Sequence, residues 1–212
     1  IICFTITDTL SGSFQSAMSA KQILEENYTQ RKIYIENSYA ATGSQYLIVR
    51  EAARMQQSGY DIDAIHSFVQ KAKIDSRIFF VVGTLTHLEK GGRIGKVAAL
   101  SGSILNIKPL IVLANGEINK AGLARSRKKA MLKLSELTKN YITQNHFSIS
   151  DFTFTIGTTN TPEEIPTFTE ILKSDLPDME MIEPFQIGAT IATHTGPMTL
   201  GVCMNKKFEC YL

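Results

Sequence analysis

The sequence predicts an α/β protein with mostly parallel strands, and three observations support that class. Short runs rich in Ile, Val and Phe alternate with stretches of helical spacing along nearly the whole chain, an order typical of strands connected by crossover helices. No internal repeat or low-complexity segment interrupts this order. Near Asp75–Arg77 the helical pattern gives way to a β-rich run. We therefore expect two domains, residues 1–76 and 77–212.

Length and composition are those of an ordinary globular protein. The chain has 212 residues, of which 43% are hydrophobic and 20% charged, and its formal net charge is +2. This balance lacks the basic excess of nucleic-acid-binding domains, and no apolar run is long enough to cross a membrane. The three cysteines form no C-x-x-C pair, which disfavours a disulfide framework or a zinc site and favours a reducing cytoplasm. The chain begins with Ile1 inside an apolar run, so we expect further sequence upstream.

The first domain is predicted to contain two strands and three helices. Helix positions follow from apolar residues at three- and four-residue spacing, from Asp61 as an N-cap and from Ser58-Gly59 as a stop. The predicted strands are Ile1–Thr5 and Lys32–Ile35, and the predicted helices are Phe14–Glu26, Tyr39–Met55 and a third that begins after Asp61.

The second domain is predicted to combine a hairpin with a longer series of strands and helices. Asn115-Gly116 tolerates the positive φ angles of a type I′ turn, so it should join a strand at Ile107–Leu113 to Glu117-Ile118. Thr161, followed by Pro162 and Glu164, predicts a capping box at a helix start. The other predicted elements are strands at Arg77–Val82, Phe152–Ile156, Glu180–Ile182, Ile187–Thr193 and Leu200–Met204, a short helix at Leu85–Lys90 and a long helix from Arg127 to Asn145.

The motif Ser11-Gly12-Ser13 precedes the first predicted helix and is the first candidate binding motif. Free N–H groups and the positive end of a helix dipole attract a carboxylate or a phosphate. The alternative is that Ser11 or Ser13 only caps the helix. The two roles are compatible because two serines are present.

The motif His194-Thr195-Gly196-Pro197 is the second candidate and follows the predicted strand Ile187–Thr193. Strand ends are where α/β proteins place their ligands, and a Gly-Pro turn exposes the last side chains. His194 is therefore a candidate ligand donor, general base or covalent attachment point, with a structural role as the alternative. The serine motif and this histidine would contact one anion from two sides.

Two basic motifs complete the set of candidates. Glu89–Lys96 does not match a phosphate-binding loop, because its glycine spacing is too short and Val97 stands where Ser or Thr is required. It presents Arg93 on a tight turn, either as an anion clamp or as an ion-pair anchor. Arg125 and Arg127 lie at the start of the long helix, where cations oppose the helix dipole. That cluster is either retained for a partner or is a solvated helix end.

Taken together, four motifs resemble the DegV family of bacterial fatty-acid-binding proteins over essentially the whole chain. They are Leu10–Ala17, Thr84–Ile94, Leu105–Leu110 and Thr193–Pro197. The resemblance implies a two-domain α/β fold with a long-chain fatty acid in the inter-domain cleft. It also implies that Ser11 and His194 hold the carboxylate, and that Gly12, Ser13 and Thr195 shape that pocket.

The resemblance further implies a role in phospholipid synthesis. Members of the family present the fatty acid to a separate kinase, which forms an acyl phosphate. Arg93, Arg125 and Arg127 would then face that kinase or the phosphoryl group. The chain itself would be a non-enzymatic carrier without cofactor or metal, in transient contact with the membrane at most. Family members carry a further N-terminal stretch, so we expect the first domain to be truncated.

The sequence leaves two alternatives to a lipid carrier. The DegV fold is related to dihydroxyacetone kinase subunits and sugar phosphotransfer domains, in which a histidine acts on the ligand. In that alternative, His194 binds or is modified by a small polar substrate. The other alternative is a domain that keeps the fold without a functioning pocket.

Overall fold

The computed structural model describes residues 1–100 and 107–212, which form two β-sheets. Leu105 and Asn106 of the third motif lie outside the described residues. The small sheet pairs two parallel strands, β1 (Ile2–Thr5) and β2 (Tyr34–Asn37). The helix α1 (Ser13–Asn27) connects them, so the predicted strand–helix–strand order is confirmed here.

The large sheet has the strand order β5-β4-β3-β9-β6-β7, with β8 also beside β6. Its strands are β3 (Arg77–Val81), β4 (Lys108–Ala114), β5 (Glu117–Ala124), β6 (Phe152–Thr158), β7 (Glu180–Met181), β8 (Phe185–Gln186) and β9 (Leu200–Lys206). Within the described chain, β7 and β8 run parallel to β6, and the other neighbouring strands are antiparallel. The α/β class is confirmed, but the expectation of mostly parallel strands is wrong for this sheet.

Helices of different length precede these strands. The helices α4 (Thr86–Lys90) and α7 (Ala189–Thr195) precede β4 and β9 and have five and seven residues, which corresponds to about 8 and 11 Å. Both of these strands are antiparallel to β3. The helix α5 (Arg127–Gln144) has 18 residues and returns the chain far enough that β6 runs parallel to β5.

The remaining helices pack on both sides of the large sheet. They are α2 (Thr42–Gln57), α3 (Ile62–Asp75) and α6 (Ile165–Asp175), together with short 3₁₀ helices at Gly95–Leu100, Ile149–Asp151, Pro162–Glu164 and Phe208–Tyr211. The predicted N-cap of α3 is confirmed, because the Asp61 carboxylate accepts a hydrogen bond from the Ala64 N–H at 2.8 Å. Among the described residues, no helix has both the length and the apolar character to cross a membrane.

The predicted capping box at Thr161 is wrong. Thr161 precedes a 3₁₀ turn and makes no side-chain cap, and its hydroxyl lies 2.7 Å from that of Thr158. The Glu164 carboxylate binds Arg127 instead of the backbone of Thr161. Both side chains therefore have partners other than each other's backbone, and α6 begins at Ile165, three residues after the predicted first helical residue Pro162.

Buried side chains lie on both faces of the large sheet, because successive residues of a strand face two different hydrophobic cores. In β3, Phe79 and Val81 face a core formed with α5 and α6, whereas Ile78 and Phe80 face a second core on the opposite side. A third core lies where α2 and α3 pack, close to the small sheet. The second core contains the candidate site.

The β4–β5 hairpin has the predicted turn. Asn115 and Gly116 have φ values of 51° and 80°, the left-handed pair that a type I′ turn requires. The Thr7 hydroxyl, in the loop after β1, donates a hydrogen bond of 3.0 Å to the Gly116 carbonyl. The turn therefore holds the loop that leads from the small sheet towards α1.

Candidate functional site

A cavity of about 210 Å³ lies on the side of the large sheet opposite α5 and α6. Residues from both predicted domains line it, and about half of them are Ile, Leu or Phe. The polar side chains that reach it are Ser11, Thr42, Arg93, Thr190, His194, Thr195 and Thr199. An apolar enclosure with a few converging polar groups is the usual form of a small-molecule site. The structure thus brings Ser11, Arg93, His194 and Thr195 of the sequence candidates to one cavity.

The serine motif contributes one residue to the cavity. Ser11 lines it and also accepts a hydrogen bond of 3.3 Å from the Ser13 N–H at the start of α1. Gly12 occupies the N-cap position and, like Ser13, is exposed to solvent outside the cavity lining. Ser11 therefore contacts the start of α1 and faces the cavity, but the N-cap residue is Gly12 and the helix has no side-chain cap.

The predicted strand at Ile187–Thr193 is wrong, because most of this segment forms α7. Gly188 is the N-cap, and the helix continues through His194 to Thr195. β-Branched residues suggested a strand, but the cavity-lining positions Ile187, Thr190, Ile191, His194 and Thr195 recur at helical spacing. Sequence reasoning missed Thr190 and Ile191 as site residues, and this periodicity is the signal that would have identified them.

His194 packs against the backbone of Gly91. Its Nδ1 is buried without a hydrogen-bond partner among the described residues, and a Cβ added to Gly91 would lie 2.1 Å from that atom. A proton on Nδ1 would be a buried donor without an acceptor, which is unfavourable. A proton on Nε2 avoids this buried donor and makes His194 a hydrogen-bond donor through Nε2.

A second contact of the same kind lies beside the first. Gly196 has a φ of 83°, and a Cβ there would lie 2.6 Å from Cδ2 of His87. Each motif therefore contributes a histidine that fits against a glycine of the other: His194 on Gly91, and His87 on Gly196. This reciprocal packing explains how two motifs about a hundred residues apart form one wall of the cavity.

Arg93 connects the two sides of the cavity mouth. Its Nε donates to the Leu10 carbonyl at 3.0 Å, and its Nη1 donates to the Gly91 carbonyl at 2.8 Å. The loop before α1 is thereby fixed to the turn after α4, which places Ser11 on the same cavity as His194. The guanidinium also adds a positive charge at the cavity lining, where it favours an anionic ligand.

The other two candidate arginines, Arg125 and Arg127, do not line the cavity. Arg127 makes a bidentate pair with Glu164, at 2.8 Å from Nε and 2.6 Å from Nη2, and its Nη1 donates to the Met198 carbonyl at 2.8 Å. Arg125 is exposed to solvent. Arg127 thus fixes the start of α5 to α6 and to the loop before β9, whereas Arg125 lies on the surface.

The remaining polar groups discussed at the cavity are uncharged hydroxyls and a thiol. Thr195 donates its hydroxyl to the Ile191 carbonyl at 3.2 Å, and Thr199 donates to the Thr195 and Gly196 carbonyls at 3.0 and 3.1 Å. These hydroxyls therefore secure α7 to the start of β9. Burial raises the pKa of the Cys203 thiol to about 11, so the sulfur in this wall is a neutral thiol at physiological pH.

Comparison with known proteins identifies relatives along the whole chain. A family model described as "Uncharacterised protein, DegV family" matches residues 1–207. A DegV domain-containing protein of Clostridium perfringens is 34% identical over 204 residues, which are 95% of this chain and 68% of the relative. A DegV domain-containing protein of Deinococcus radiodurans is 30% identical over 96% of this chain and 69% of the relative.

Two solved structures are similar in both sequence and fold. A stearic acid-binding protein of Eubacterium ventriosum is 33% identical with a TM-score of 0.91, over 99% of this chain and 71% of the other. A fatty-acid-binding DegV family protein of Thermus thermophilus is 28% identical with a TM-score of 0.86, over 97% and 70% of the two chains. This chain therefore spans about seven tenths of the length of these proteins.

Proposed function

We propose that this chain, which belongs to the DegV family, binds a long-chain fatty acid in the cavity. The observation that carries the proposal is an apolar enclosure with Ser11, Arg93 and His194 on its polar side. The two similar structures bind stearic acid and a fatty acid, respectively, which supports the same ligand class here.

The polar side of the cavity suits a carboxylate. A buried carboxylate is unfavourable unless it accepts hydrogen bonds from nearby donors. We assign this role to the Ser11 hydroxyl and to Nε2–H of His194, while the N-terminus of α1 and the Arg93 guanidinium supply positive potential. Thr195, whose hydroxyl donates to the Ile191 carbonyl, shapes this end of the cavity, whereas Gly12 and Ser13 lie outside the lining.

The apolar side of the cavity suits an acyl chain. Each buried methylene contributes about 0.8 kcal/mol, so a long chain can supply most of the affinity. The same lining disfavours a small polar substrate, which would leave Ile, Leu and Phe side chains without a partner. For this reason we place the phosphotransfer alternative, with His194 acting on such a substrate, second.

We further propose that the chain is a carrier that presents the carboxylate to a separate kinase, which forms an acyl phosphate. The carboxylate would lie next to Ser11 at the start of α1, whose following residues Gly12 and Ser13 are exposed. Arg125 is available on the surface for a kinase, whereas Arg127 would act by holding α5 in place. The three free cysteines favour a reducing compartment such as the cytoplasm.

Lipid extraction and two alanine variants test the ligand. The purified protein should release a long-chain fatty acid, identified by mass spectrometry after denaturation, or take up an added one. Ser11→Ala and His194→Ala should each weaken fatty-acid binding by about 1–3 kcal/mol, because each leaves part of the carboxylate unsatisfied. Ser19→Ala is the matched control, since among the described residues this exposed serine donates a hydrogen bond only to the Gln15 carbonyl of its own helix. A protein that neither holds nor takes up fatty acid would contradict the proposal.

A further inference from the structure

One wall of the cavity follows one face of β9. Thr199, Gly201 and Cys203 line it and alternate with residues that face the opposite core. Four residues of extended chain correspond to about 13 Å. Thr199 lies at the polar end, where it binds the backbone of α7. Cys203 is the lining residue of β9 farthest from that end, and from it the lining continues across the sheet through Ile78, Leu113 and Ile118.

Phe185 lines the cavity beside Cys203, since a Cβ added to Gly43 would contact both side chains. It is paired with Gly157 of β6, and from Phe185 the chain runs through Ile187 towards α7 and the polar end. A Cβ added to Gly157 would lie 2.6 Å from Cζ of Phe185. The ring therefore lies across β6, in the space that a side chain at position 157 would occupy.

The ring also contacts the start of α2. A Cβ added to Gly43 would lie 2.6 Å from Cε1 of Phe185 and 2.8 Å from Sγ of Cys203. Gly43 and Gly157 thus leave a slot between two elements, and the ring occupies it next to the thiol in the cavity wall. Because the backbone of two elements lies against the ring, it has little room to move aside for a longer ligand.

We propose that Phe185 is the residue that sets the maximum acyl-chain length this protein accepts. This inference rests on the proposed fatty-acid function and adds the residue that limits the length of the acyl chain. A chain whose carboxylate is held near Ser11 and His194 meets the ring with its methyl end. Longer chains then have no apolar volume to enter, and shorter ones leave part of the cavity unfilled.

Two substitutions should move the preferred chain length in opposite directions. Phe185→Ala removes the ring, so the optimum in a series of saturated fatty acids from 12 to 20 carbons should move to longer chains. Each further methylene that is buried should tighten Kd about fourfold. Gly157→Ala should press the ring into the cavity and move the optimum to shorter chains. Leu10→Ala, at the polar end, is the matched control and should weaken binding of all lengths without moving the optimum.

The double variant Gly157→Ala with Phe185→Ala tests the slot itself. The three atoms nearest to a Cβ at Gly157 all belong to the Phe185 ring. Gly157→Ala should therefore lower the unfolding temperature of the wild-type protein but not that of Phe185→Ala. If the wild type binds no fatty acid, the proposed function fails and this inference fails with it. If the wild type binds but Phe185→Ala keeps the wild-type optimum, only this inference is overturned.

Discussion

At the scale of single residues, Gly91 determines where the His194 ring lies. Gly91 has a φ of −78°, which any residue can adopt, so glycine is required there for space rather than for backbone conformation. The space is taken by Nδ1 of His194, which would be 2.1 Å from an added Cβ. The imidazole can therefore occupy this position in the cavity only because residue 91 has no side chain.

We expect Gly91→Ala to weaken fatty-acid binding about as much as His194→Ala does, by about 1–3 kcal/mol, because the ring must leave its position. Calorimetric titration with one saturated fatty acid measures the change. Gly188→Ala is the matched control, since a Cβ there meets no atom within 4 Å. Equal binding by Gly91→Ala and wild type would mean that the ring position is not needed for the carboxylate.

At the scale of elements, Arg127 holds the start of α5 against α6 and the loop before β9. It and Glu164 each have 17% of the side chain exposed, so the pair lies mostly out of water. The Met198 carbonyl, three residues after Thr195 at the end of α7, accepts a further hydrogen bond. One guanidinium therefore joins three elements, two of them on the side of the sheet away from the cavity.

We expect Arg127→Met to lower the free energy of unfolding by about 1–3 kcal/mol, because Glu164 would lose its partner while partly buried. Chemical denaturation measures the loss. Arg125→Met, two residues away on the surface, should change stability by less than about 0.5 kcal/mol. Equal effects of the two substitutions would show that the Glu164 pair does not hold these elements together.

At the scale of the whole molecule, ion pairs on Glu180 join distant parts of the chain. Glu180 in β7 contacts Lys207 near the C-terminus at 2.8 Å and Arg50 in α2 at 3.7 Å. The hydrogen bond from Lys207 lowers the pKa of the Glu180 carboxyl, and the charge of Arg50 acts in the same direction. The folded protein therefore binds a proton at this site less readily than the unfolded chain does.

This difference predicts a loss of stability in acid. The contribution of Glu180 is present above the usual carboxyl pKa of about 4.3 and is lost as the pH falls through the lowered value. Since Glu180 is 44% exposed, the effect should be below about 1 kcal/mol. Glu180→Gln should reduce the difference between unfolding temperatures at pH 7 and pH 4. Glu163→Gln, which replaces an exposed carboxylate, should leave this temperature difference unchanged. An equal response of both variants would show that the ion pairs of Glu180 do not cause the loss of stability in acid.

Sequence patterns predicted local secondary structure more accurately than the contacts between residues far apart in the chain. The hairpin turn at Asn115-Gly116 and the N-cap at Asp61 were predictable because each depends on residues within a few positions of one another. The capping box at Thr161 failed because Arg127, far away in sequence, binds Glu164. The strand predicted at Ile187–Thr193 failed because β-branched composition concealed a helical spacing of cavity-facing residues.

The sequence by itself determined the α/β class, the family and the motifs that contain Ser11, Arg93 and His194, because these depend on local residue types and their order. Only the tertiary structure decided the mixed, mostly antiparallel strand order of the large sheet, the contacts of His194 with Gly91 and of His87 with Gly196, and the slot that holds Phe185. These features depend on how residues far apart in sequence pack against one another. Such packing depends on atomic distances, which a linear pattern of residue types does not contain.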